Sequence, residues 1–131
     1  MDLVSSFKYL SVNKESSQVK SFAAVICGNH TEFFLTHFPN CINLVITQLG
    51  KIGNLYEVKV DQPENGLSIS EPTYSITTLL GAENIDAEVA VRYLTEKLGI
   101  RKHLILCLSL KDYTRNSVDK IVEAIQNYPT H

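Results

Sequence analysis

The chain has 131 residues, 44% hydrophobic and 20% charged, the profile of one ordinary soluble domain large enough for a real core. Its 12 Lys and Arg against 14 Asp and Glu leave a net charge of −2, which argues against general binding to nucleic acid or an anionic membrane, since both require a basic field. No apolar run reaches the roughly 18–20 residues that span a bilayer.

The first ten residues, MDLVSSFKYL, carry Asp2 where a secretory signal carries positive charge, and no Arg precedes Arg92, as a mitochondrial presequence would demand. Residues 1–17 read as a loose arm rich in Ser, Asn and Lys, ahead of a single domain over 18–131. Val19–Cys27 and Thr31–Phe38 read as a strand pair joined by a turn at Gly28-Asn29. Cys41–Leu49 is a nearly continuous apolar run suited to the centre of a sheet. Gly50-Lys51-Ile52-Gly53 reads as a tight hairpin turn that uses both glycines at positive φ. Asn54–Val60 then alternates, with Leu55, Glu57 and Lys59 on one face and Tyr56, Val58 and Val60 on the other. Residues 61–72 contain Pro63, Asn65-Gly66 and Pro72 and read as a long loop. Tyr74–Leu80 is a fifth strand.

After Gly81 the period changes to that of a helix. Ala87, Ala90, Val91, Leu94 and Leu98 share one face, with Asn84 as N-cap, Asp86 in the first turn, Lys97 in the last and Gly99 beyond the end. Ile85, Val89 and Tyr93 widen the apolar stripe, so the helix is expected to bury more than one side. His103–Leu110 is a short apolar strand. Val118, Ile121, Val122 and Ile125 mark a second amphipathic helix, capped by Asn116 or Ser117 and ended by Pro129. The fold class is therefore α+β: a mainly antiparallel sheet of about six strands with two helices on one face. The strand–helix–strand unit is expected to supply one parallel pair. The other sheet face carries apolar residues from several strands and needs its own cover, which points to a partner subunit.

Chemistry is sparse. The GxxxxGK[ST] phosphate loop is absent, and the GxxG around Lys51 lies between strands, not helices. Cys27, His30, His37 and Cys41 form the one cluster with ligand-type residues, but both cysteines sit in apolar surroundings typical of core thiols. The three cysteines are odd in number and far apart, as in a reduced cytoplasmic or nuclear protein. No nucleophile has an oriented base, and the carboxylates are scattered over helix faces and a loop. The reading is of a non-enzyme without metal or cofactor. The polar tip at the exit of the most apolar strand, with Gln48, Gly50, Lys51, Ile52 and Gly53, is either a solvated turn or a contact for another chain.

The stretch Leu44-Val45-Ile46-Thr47-Gln48-Leu49-Gly50-Lys51-Ile52-Gly53-Asn54-Leu55 resembles the signature of the proteasome assembly chaperone 3 family. Val25-Ile26-Cys27-Gly28 with Thr31 and Phe38, then Thr77-Thr78-Leu79-Leu80-Gly81, then Leu104–Lys111 with Asp112, are similar to other family segments in the same order. The resemblance spans about residues 20–127 and omits the arm and the 61–72 loop. It implies a non-enzymatic chaperone subunit for assembly of the 20S proteasome α-ring. Its partners would be a related chaperone subunit, in a heterodimer or, in isolation, a homodimer, and proteasome α-type subunits. Nucleic acid and membrane are not among the implied partners. The alternative is a scaffold or regulatory dimer module of membrane traffic or GTPase signalling, a class whose common modules begin with a helix.

Overall fold

A computed structural model describes residues 19–50, 53–61 and 73–128. The N-terminal arm, Lys51 and Ile52, residues 62–72 and Pro129 lie outside the described residues, and so does the segment whose helix would favour the scaffold alternative. The elements are β1 (Val19–Ile26), β2 (Asn29–His37), β3 (Cys41–Thr47), β4 (Asn54–Asp61), β5 (Thr73–Leu80), α1 (Ile85–Leu98), β6 (His103–Ser109) and α2 (Arg115–Asn127).

The six strands form one sheet in the order β1-β2-β3-β6-β4-β5. Four of the five neighbouring pairs are antiparallel and one, β3 with β6, is parallel. This is the expected α+β class with a mainly antiparallel sheet. The β1–β2 hairpin forms, but its turn lies one residue earlier than Gly28-Asn29: Cys27 (φ 50) and Gly28 (φ 82) take the left-handed backbone, and Asn29 already pairs with Ile26 in β2.

Two strand relationships differ from the sequence reading. β3 and β4 are not a hairpin, because β6 is inserted between them and hydrogen-bonds both. The chain leaving β3 therefore re-enters the sheet as β4 on the far side of β6. The parallel pair also lies elsewhere than expected: β5 and β6 run in the same direction but are separated by β4. The reason is physical. The most apolar strands, β3 and β6, gain most from the fully buried centre, and pairing them there outranks pairing of chain neighbours.

Both helices pack on one face. Ala87, Ala90, Val91 and Leu94 of α1 and Val118, Ile121 and Val122 of α2 meet Phe33, Leu44, Ile46, Tyr56, Val58, Leu104, Leu106 and Leu108 from the sheet. At the β1 edge the Phe22 ring stacks between Phe33, at 4.5 Å, and Tyr128 beyond α2, at 4.1 Å. The alternation expected for β4 holds, with Tyr56 and Val58 fully buried. No described helix is long and apolar enough to cross a membrane.

The helix ends follow the capping rules, with one correction. Asn84 accepts the Ala87 N–H at 3.1 Å, and Gly99 closes α1 in left-handed conformation (φ 64). α2 is capped by Thr114, whose side chain accepts the Ser117 N–H, and not by Asn116 or Ser117. Asp112 fixes this choice, because its carboxylate takes both the N–H and the hydroxyl of Thr114 and so holds that residue extended. The stripe of α1 is narrower than expected: Tyr93 is half-buried against the core, but Ile85 (76% exposed) and Val89 (61%) are exposed.

Candidate functional site

The described residues of the tip, 48–50 and 53, are positioned by β3 and by the end of β6. Thr47 turns the chain by accepting the N–H groups of Leu49, at 3.2 Å, and Gly50, at 2.9 Å. Gly50 takes positive φ (69°) in open space, as the sequence reading expects. Gln48 is committed inward. Its backbone N–H donates to the Ser109 carbonyl at 2.8 Å, its side-chain nitrogen donates to the Thr31 hydroxyl at 3.1 Å, and its side-chain oxygen accepts the Lys111 N–H at 2.9 Å. A side chain with donor and acceptor both bound to its own fold is a clamp for three strand ends.

Gly53 is required for a different reason from the one expected. It is not at positive φ. A Cβ there would meet the Leu108 carbonyl oxygen at 2.4 Å and the Ser109 Cα at 2.9 Å, so the residue is small because β4 starts hard against β6. Its backbone also hydrogen-bonds the Cys107 thiol, whose pKa burial pushes up and that bond lowers in part. Asn54 follows, donating to the Tyr56 hydroxyl and to the Ala82 carbonyl, each at 2.9 Å. Of the five residues proposed from sequence, Gln48 and Gly53 build the tip and Gly50 shapes it, while Lys51 and Ile52 lie outside the described residues. Leu49, 45% exposed, is the large side chain among the described tip residues that faces outward.

The second surface is the sheet face turned away from the helices. The registers align Phe34 with Val45, Val45 with Cys107, and Cys107 with Leu55, one apolar row across four strands. Phe34, Val45 and Cys107, each only 6% exposed, form a small cluster of their own with Val19 and Leu55, and none of the described helices packs on it. Beside the row, Glu57 and His103 are 2.9 Å apart. The hydroxyls of Thr36 and Ser109, on the same face, are shut from solvent with no hydrogen-bond partner. The signal for this face is the lack of alternation in Cys41–Leu49 and His103–Leu110, which makes both faces apolar.

The cysteine–histidine cluster is pulled apart. Cys27 and His30 stand at one end of β2, His37 and Cys41 at the other, about 23 Å away at 3.3 Å per residue. Burial and the nearby Lys102 and Lys20 push the His37 pKa down, a poor setting for a cation. Among the described residues no three His, Cys, Asp or Glu side chains are grouped to hold a metal.

Comparison with known proteins adds to this geometry. Residues 44–128 match the family model described as proteasome assembly chaperone 3. The chain is 31% identical over 111 residues to the proteasome assembly chaperone 3 of Bos taurus, covering 82% of this chain and 88% of that protein. It is 27% identical over 111 residues to that of Homo sapiens, with the same coverage. Its fold is that of a chain in the crystal structure of a chaperone complex for yeast 20S proteasome assembly, with a TM-score of 0.64 at 20% identity, over 83% of this chain and 96% of that one.

Proposed function

Because the chain belongs to the proteasome assembly chaperone 3 family, we propose that it is one subunit of a dimeric chaperone that binds α-type subunits while the 20S α-ring assembles. It works in the cytoplasm or nucleus, as a binding protein without a catalytic step. The observation that supports the dimer is the apolar row Phe34–Val45–Cys107–Leu55 on the sheet face away from both described helices, a row whose Phe34, Val45 and Cys107 are each only 6% exposed in the single chain. A related subunit with the same architecture supplies a second such face, and two sheets packed face to face stand about 10 Å apart with their side chains interleaved.

The α-type subunit would be held by a separate and smaller surface. An assembly factor must leave, so its contact is modest in area and short-lived. Affinity purification of the tagged chain supplies the test. The expected result is co-purification with a related chaperone subunit and with α-type proteasome subunits, reproduced with recombinant proteins. Absence of both associations, in lysate and with purified components, would sink the reading.

A further inference from the structure

Among the described residues, six large apolar side chains are exposed: Val25, Leu49, Leu79, Leu80, Ile85 and Val89. The topology gathers all six at one end of the molecule. β1, β3 and β5 finish there, β4 begins there, and α1 starts there. Four of them fall in residues 79–89, where β5, an edge strand, turns into α1. Leu79 (48%) and Leu80 (54%) end the strand; Ile85 (76%) and Val89 (61%) stand one turn apart on the solvent side of the helix. Scattered exposed apolar residues need no explanation, but four within one corner do.

Along the strand–helix segment itself the charges are of one sign: residues 73–91 carry Glu83, Asp86 and Glu88 and no Lys, Arg or His. The cation nearest in space is Arg115 of α2, which shares a groove with Val89 and stands over the Tyr93 ring at 4.4 Å, on the α2 side of the helix. None of the three carboxylates is in an ion pair among the described residues. The next cation along the chain, Arg92, is turned back to the Tyr74 carbonyl at 3.0 Å. Asp86 and Glu88 favour the α1 dipole, but Glu83 precedes the cap and the dipole explains none of the exposed Leu, Ile and Val. A second copy of the chain is a poor occupant, since it would set the same carboxylates against one another.

We propose that the β5–α1 corner is the client-docking surface, taking an apolar segment flanked by Lys or Arg on the surface of an α-type subunit. The proposal rests on the chaperone reading above and assigns the client a surface distinct from the sheet face.

The test uses the complete dimer with its related subunit and recombinant α-type subunits offered one at a time. Two variants are compared with wild type, the pair Ile85→Ser with Val89→Ser and the single Glu83→Lys. All three sites are exposed, and Glu83 precedes the helix cap. Both variants are expected to weaken client capture, the apolar pair by about tenfold or more, while dimerisation and melting temperature stay unchanged. Wild-type capture is expected to weaken as salt is raised. Wild-type capture by both variants overturns the corner and leaves the chaperone reading standing. Loss of the dimer in either variant makes the corner a subunit interface and also overturns it. Failure of wild type to capture any α-type subunit overturns both readings.

Discussion

The side-chain oxygen of Gln48 accepts the backbone N–H of Lys111 at 2.9 Å, joining the exits of β3 and β6 across the sheet end. The same amide donates to Thr31 on β2 at 3.1 Å, so one side chain locks three strands together. Gln48→Ala is therefore expected to lower stability by about 0.5–1 kcal/mol, the net worth of two hydrogen bonds, since water can reach the exposed Lys111 N–H and the Thr31 hydroxyl keeps its bond to the Asn29 carbonyl. Denaturant midpoints measure it. Unchanged stability with weakened partner binding would make Gln48 a contact residue instead.

Gly50 and Gly53 separate two reasons for glycine. Gly53→Ala puts a methyl 2.4 Å from a backbone oxygen in the central strand, which cannot turn aside as a side chain could. The expected loss exceeds about 2 kcal/mol. Gly50→Ala meets nothing within 4 Å and bears only the left-handed backbone, about 1 kcal/mol, most of which Gly50→Asn recovers. Equal losses at the two positions, read from unfolding curves, would contradict the close approach of β4 to β6.

Local patterns carried far in this chain, and long-range order did not. The alternation of Leu55, Glu57 and Lys59 against Tyr56, Val58 and Val60 is set by the pleat, and Asn84 and Gly99 are set by what a helix end needs, so both are readable from a few residues. The insertion of β6 between β3 and β4 is a choice among distant pairings, and no local signal encodes it. The error at Gly53 follows directly: a glycine four residues before Glu57 looks like a turn until the strand that crowds it is known. Ile85 and Val89 misled for the opposite reason. Their apolar character fits a buried stripe, but they lie on the side of α1 opposite Ala87, Ala90, Val91 and Leu94, the face given to the sheet.

The two helix caps give a direct comparison. Asn84 holds the Ala87 N–H and Thr114 holds the Ser117 N–H. Asn84→Ala and Thr114→Ala are each expected to cost about 1 kcal/mol. Asn116, exposed and bonded through its side chain to the Cys27 sulfur at 3.4 Å, caps nothing, and Asn116→Ala is expected to change stability by less than about 0.5 kcal/mol. A loss at Asn116 equal to that at Thr114 would return the cap to the position first read from sequence.

Asp112 links the α2 cap to pH. Its carboxylate accepts the Ser117 hydroxyl at 2.8 Å, the Thr114 hydroxyl at 2.8 Å and the Thr114 N–H at 3.1 Å. These bonds hold its pKa below the ordinary aspartate range, against a small opposing effect of burial. A carboxyl whose pKa is depressed by folding binds fewer protons folded than unfolded. Its stabilising contribution is complete above the unfolded aspartate pKa of about 3.9 and disappears as pH falls through the lower folded value. Asp112→Asn keeps an acceptor oxygen but cannot titrate. Melting temperatures from neutral pH down to about pH 3 are expected to fall more steeply for wild type than for Asp112→Asn below about pH 4, and in parallel above it. Parallel curves throughout would mean that the bonds to Ser117 and Thr114 do not favour the charged form, and the network would then be a neutral capping arrangement.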